Sequence, residues 1–256
     1  MGVTQASAFG RSPVQWTDRT AGRWFFTAAA TASLLISIAS FAPAIVHPEH
    51  RPGTLNWLSV VHGLLYFLWL VIFVVQTLLV QVRKVSIHRT LGTASMFLAI
   101  AMVATGYIAV VAMTRRGFDF SGDLALSTDP LGPINQMIFP LSEAFEFGLL
   151  VFAGYIWRRN LAAHKRLMLF ATIALLPGSF AHFVGYYYPL HAHPWFLNTP
   201  VLLSLTVPAL YDLIRFRRIH PVSLWVGAGL FSANAAINNY IGASGLWHRI
   251  AEWMIR

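Results

Sequence analysis

The chain reads as an all-α protein, a polytopic transmembrane helical bundle of about seven spans. Three observations carry that reading. Hydrophobic residues make up 57% of the 256 positions and charged residues only 11%, under half of the roughly 25% that a soluble domain carries. Apolar runs near 20 residues, long enough for a ~30 Å hydrocarbon core, recur along the whole chain. Lys and Arg gather on alternate turns between those runs, as the positive-inside rule requires.

Taken in order, residues 1–23 are polar and hold Arg11, Asp18, Arg19 and Arg23. They lack the short apolar core and small-residue cleavage site of a signal peptide and are expected to form a cytoplasmic tail. Spans are expected at about 24–46, 55–81, 90–113, 136–157, 167–188, 199–215 and 221–241. Together they form a transmembrane domain over 24–242, followed by a short tail at 243–256. Pro200 and Pro221 stand where a first helical turn tolerates proline. Pro140, Pro177 and Pro208 fall inside spans and are expected to kink them.

The charge pattern orients the bundle. The tail holds three Lys or Arg residues, 82–89 three (Arg83, Lys84, Arg89), 158–166 four (Arg158, Arg159, Lys165, Arg166) and 215–220 three (Arg215, Arg217, Arg218). Only Arg51, Arg115, Arg116, Arg249 and Arg256 lie on the other side. The N-terminus is therefore expected in the cytoplasm and the C-terminus outside, in a bacterial inner (cytoplasmic) membrane. The net charge of +9 is accounted for by these topogenic, lipid-facing turns, so the lipid bilayer is the expected partner and nucleic acid is not. Arg83-Lys84…His88, Arg158-Arg159…His164 and Arg217-Arg218-Ile219-His220 repeat a basic pair followed by a histidine. That is the form of one span followed by three hairpins, and also what short basic turns produce unaided.

The segments His88-Arg-Thr-Leu-Gly-Thr-Ala-Ser-Met, His164-Lys-Arg-Leu-Met and Tyr211-Asp-Leu…Arg218-Ile-His-Pro-Val-Ser-Leu-Trp resemble a group of bacterial multi-pass membrane proteins with no assigned activity. The likeness covers about residues 60–250 and implies the fold alone. A looser resemblance is to b561-type cytochromes, in which histidines on neighbouring helices hold two haems. The chain departs from that pattern: its fourth span has no histidine, and His88, His164 and His220 stand at helix ends.

With no cysteine, thiolate nucleophiles, Cys-ligated metals and iron–sulfur clusters are excluded. His, Asp and Glu remain as metal ligands and His as the haem ligand. His62, Glu143, Glu146 and His182 are the ionisable residues expected in the outer half of the bilayer, His62 roughly 11 Å deep by helix rise. Such residues in a membrane helix face a shared interior rather than lipid. Glu143 and Glu146 share a helical face, and His62, Tyr66, Trp69 and Gln76 form one stripe. Ser204, Thr206, Asn234 and Asn238 reach similar depth.

Several chemistries suit that set. His62, Glu143, Glu146 and His182 match a divalent metal site. His62 with His182, or His88 with His164 on the inner side, match axial ligands of haem b, for electron transfer or membrane redox chemistry. The alternative is a non-enzymatic proton- or cation-coupled carrier, or an accessory subunit bound to other membrane protein subunits. Interhelical hydrogen bonding that only fixes packing is the plainest account. His47-Pro-Glu-His50 and His191-Ala-His193 are expected at the outer surface, under a 114–135 loop carrying Asp119, Asp123 and Asp129. Catalytic residues are not identified by any motif: GxSxG, HExxH and a phosphate-binding loop are all absent.

Overall fold

The computed structural model of the protein describes residues 21–50, 56–116, 132–187 and 194–256. The 1–20 tail, the stretch with Asp119, Asp123 and Asp129, Tyr188, and His191-Ala-His193 lie outside them.

Every regular element among the described residues is helical. α1 is Ala21–Val46, α2 Trp57–Gln81 and α3 Val85–Arg116. A short α4, Gly132–Gln136, leads into α5, Ile138–Ile156; α6 is Leu161–Ile173 and α7 Leu176–Tyr187. α8 is Pro194–Phe216, α9 Pro221–Ala236 and α10 Gly245–Ile255. Among the described residues, six stretches are long and apolar enough to cross a membrane: Trp24–Val46, Trp57–Gln81, Val85–Arg116, Ile134–Ile156, Leu161–Tyr187 and Asn198–Phe216. Their outward faces carry residues such as Phe97, Leu203, Ile214 and Phe152, each more than 60% exposed, which is the surface a lipid environment covers. The expected seventh span is shorter than the rest. α9 has 16 residues, about 24 Å of helix, and continues through a π turn at Ile237–Ile241.

Sequence-encoded stops set the helix ends. Asn56 accepts from the Ser59 backbone N–H at 2.8 Å and Asn160 from Ala163 N–H at 3.2 Å, so each caps the helix that follows it. Arg83 and Arg217 adopt φ of 61° and 56° in the tight turns after α2 and α8. Glycine usually closes a helix in this left-handed conformation; here an arginine occupies the position.

Packing follows residue size. On α1 the buried residues Ala30, Ser33, Ser37, Ser40 and Ala44 recur at helical spacing and form a small-residue stripe that allows close approach. Against it lie α2 and α7, and Ser37 Oγ meets Ser179 Oγ of α7 at 2.9 Å. The main core gathers Trp69, Met102, Phe147, Leu169 and Phe170 from α2, α3, α5 and α6. The Trp69 indole N–H donates to Thr172 Oγ1 at 3.3 Å, and its ring meets Phe147 edge-on at 4.8 Å.

Prolines act as their helical positions dictate. Pro140 lies in the first turn of α5, after the break from α4, and Pro208 lies within an unbroken α8. Pro177 does more than kink its span. It has no N–H to offer the Ile173 carbonyl, and the 27-residue stretch Leu161–Tyr187 divides at Ala174-Leu175 into helices of 13 and 12 residues.

The segment expected as a plain C-terminal tail contains α10. Ser244 caps it through the Trp247 N–H at 3.2 Å, and Trp247 and Ala251 bury against Val110, Met113 and Met137. Arg115 Nε donates to the Ile255 carbonyl at 2.7 Å, fixing α10 to the end of α3.

Candidate functional site

The break in the fifth span organises the candidate site. A new helix start at Leu176 leaves the first-turn N–H groups of α7 without intrahelical acceptors. Glu143, on α5, faces the Gly178 backbone, and its Oε2 lies 3.7 Å from where a Gly178 Cβ would stand. A carboxylate at a helix N-terminus also meets the positive end of the helix dipole. Glu143 thus closes a helix end that proline opens within the span.

Two further groups join Glu143. Glu146, three residues on, lies within its electrostatic reach, as does the Tyr66 phenol. Tyr66 stacks on His62 with ring centroids 4.2 Å apart. Its hydroxyl rests over Gly106 of α3, where an added Cβ would sit 3.1 Å from it and 3.6 Å from Ala144 Cβ. Three of the four residues expected in the outer half, His62, Glu143 and Glu146, therefore gather near Tyr66. Among the described residues neither glutamate forms an ion pair with Lys or Arg.

His182 is buried at 7% exposure and packs against Phe41 of α1, centroids 4.4 Å apart. Among the described residues no three His, Asp or Glu side chains are grouped to hold a metal ion. The metal reading of His62, Glu143, Glu146 and His182 gains no support from their placement. Ser204, Thr206, Asn234 and Asn238 each bond a carbonyl three or four residues back in their own helix, the usual sink for polar groups in apolar surroundings. At the surface, His47 Nδ1 lies 3.2 Å from Glu49 Oε1.

At the opposite, basic end, His88 and His164 come together across α3 and α6, ring centroids 6.3 Å apart and nearly perpendicular at 83°. His164 Nδ1 lies 2.8 Å from the Gly154 carbonyl. Gly154 is glycine because α5 and α6 touch there: a Cβ would come within 2.7 Å of Met168 Sδ. His220 is the N-cap of α9, its Nδ1 accepting from Val222 N–H at 3.1 Å.

Sequence reasoning missed a third cluster. Arg166 of α6 and Asp212 of α8 are both completely buried and form a salt bridge. Arg166 Nε donates to both Asp212 oxygens at 3.1 Å, and Nη1 to the Ala162 carbonyl at 2.7 Å. Asp212 Oδ2 also accepts from His220 N–H at 3.1 Å and from Ser223 Oγ. The charge pattern classes Arg166 with the orienting turn residues, yet it turns inward. The available signal was Asp212, an acid with apolar neighbours on both sides that needs a counterion. Burial, followed by the Arg166 charge, pushes the adjacent His220 imidazole down to about 4; Asp212 opposes this and Lys165 adds to it.

Comparison of the chain with protein-family models, curated proteins and solved structures finds no match. The functional reading accordingly rests on these three clusters.

Proposed function

We propose that this chain is a proton-coupled carrier of the bacterial inner membrane, in which Glu143 takes up and releases the coupling proton. In this reading α9 and its π turn supply the seventh span, and the basic turns hold the N-terminus in the cytoplasm. The observation that carries it is the Glu143 carboxyl group at the start of α7, inside a broken span. Discontinuous membrane helices place half-helix ends, with their unpaired backbone groups and dipoles, where substrates and coupling ions bind. Here the half-helix end is met by a group that changes charge when it takes a proton. Ionised, the carboxylate holds the α7 terminus. Protonated, it keeps one acceptor oxygen but loses the charge that favours the helix end, so proton uptake and α7 position are coupled. Tyr66 and His62 extend a chain of proton-exchanging groups away from Glu143, and Glu146 supplies a second carboxyl.

The test is flux across proteoliposomes with a pH-sensitive dye inside. With a Na+, K+ or divalent-cation gradient imposed, wild-type protein is expected to move protons in exchange, and Glu143→Gln to lose that coupled flux while keeping the same helical content. Wild-type vesicles no leakier than empty ones, with and without a counterion gradient, would defeat the proposal.

A further inference from the structure

The paired imidazoles at the basic end belong to no part of the proton chain, and their surroundings point to a ligand of their own. His164 donates its Nδ1–H to the Gly154 carbonyl at 2.8 Å, which leaves the lone pair on Nε2, the arrangement of a metal-binding histidine oriented by a backbone carbonyl. The His88 ring lies against the backbone of Gln76, and its Nδ1 is buried without a hydrogen-bond partner among the described residues. So is Oε1 of Gln76. The Gln76 amide lies against Gly92, one turn along α3 from His88: a Cβ there would stand 3.3 Å from Gln76 Nε2. His88 and Gln76 thus each bury a polar side-chain atom that has no hydrogen-bond partner among the described residues, a rare state for polar groups inside a protein. A cation satisfies both at once.

The spacing fits as well. Two imidazoles binding one metal at about 2 Å set their ring centres roughly 5 Å apart in a tetrahedral site and roughly 6 Å apart where they stand trans, as in square-planar or tetragonal sites; the 6.3 Å found is the trans spacing. Neutral nitrogen and amide-oxygen donors without a thiolate or carboxylate suit a borderline divalent ion such as zinc, nickel or copper rather than calcium or magnesium. We propose that His88, His164 and Gln76 bind one divalent transition-metal ion at the basic end of the bundle, with the amide oxygen as third ligand. Arg89, one residue from His88, adds positive charge nearby, which sets the affinity below that of a carboxylate-bearing site.

The experiment uses the full chain in detergent, stripped with a chelator and titrated with cobalt(II) as the spectroscopic probe, then with zinc in competition. One equivalent should bind, giving visible ligand-field bands that zinc abolishes. His88→Ala and His164→Ala should each weaken binding at least tenfold, while His62→Ala leaves it unchanged. Because a ligand deletion can also disturb folding, Gln76→Glu is the decisive variant. A carboxylate in place of the amide should tighten binding about tenfold, a gain that misfolding cannot imitate. The inference is overturned by sub-stoichiometric binding, by affinity indifferent to both histidines, by Gln76→Glu having no effect, or by purified protein carrying a Soret band that needs His88 and His164, which would assign the pair to haem iron instead.

Discussion

Arg166 and Asp212 stand 46 residues apart in sequence and meet with no solvent exposure on either side. Asp212 accepts from the guanidinium, from the His220 backbone and from the Ser223 hydroxyl, so one carboxylate joins α6, α8 and α9. Deleting a single partner strands a buried charge, at a cost of about 3–5 kcal/mol, whereas replacing both with apolar groups of similar volume is often neutral. Arg166→Met and Asp212→Leu are each expected to lower stability by that amount, and the double variant to recover most of it. Equilibrium unfolding in mixed micelles measures this. Additive losses in the double variant would show that the pair is not coupled.

His220 makes stability sensitive to acid. Its imidazole is held down to about 4 against an ordinary value of 6.5, so between those values the unfolded chain binds the proton and the folded chain does not. Stability is therefore full above about pH 6.5, falls as the pH drops toward 4, and is flat with respect to this group below that. The midpoint of thermal unfolding in detergent should follow the same course. Asparagine is also a good N-cap, so His220→Asn should keep the helix start and remove this part of the slope. An unchanged slope in that variant would count against the assignment.

Tyr66 is seated by the absence of a side chain at Gly106. The phenol oxygen would lie 3.1 Å from a Cβ at that position, and the two further methyls of valine would have to displace it. Gly106→Val is expected to cost about 1–3 kcal/mol by overpacking and to cut proton flux in vesicles along with it. Tyr66→Phe keeps the ring on His62 and removes only the hydroxyl; it should reduce flux at nearly unchanged stability. Flux retained in Tyr66→Phe would remove the phenol from the proton chain.

How much of this was legible beforehand differs by level. Six of the expected spans reappear as long apolar helices, with ends shifted by up to six residues, because a membrane helix must be both long and apolar, a property of contiguous sequence. The His62–Tyr66–Trp69–Gln76 stripe was equally legible, since helical spacing alone places those residues on one face. Pro177 marked a disturbance, but whether it bends a helix or divides it depends on which group can accept the freed backbone N–H. That group, Glu143, lies on another helix. Arg166 misled because a basic residue near a turn looks the same in sequence whether it turns to the headgroups or inward. Gln76 shares that stripe, though roughly 21 Å of helix rise separates it from His62, and its backbone lies near His88 at the far end.

The sequence by itself determined that this is an all-helical chain built to lie in apolar surroundings, with its charge sorted to the turns. Those are properties of length, composition and spacing along one strand of text. Only the tertiary structure decided which polar groups meet: Glu143 with the Gly178 backbone, His88 with His164, Arg166 with Asp212. The physical reason is that a buried charge or unpaired donor must find its complement somewhere, while the packing of small residues such as Ala30, Gly106 and Gly154 chooses which helices come close enough to supply it.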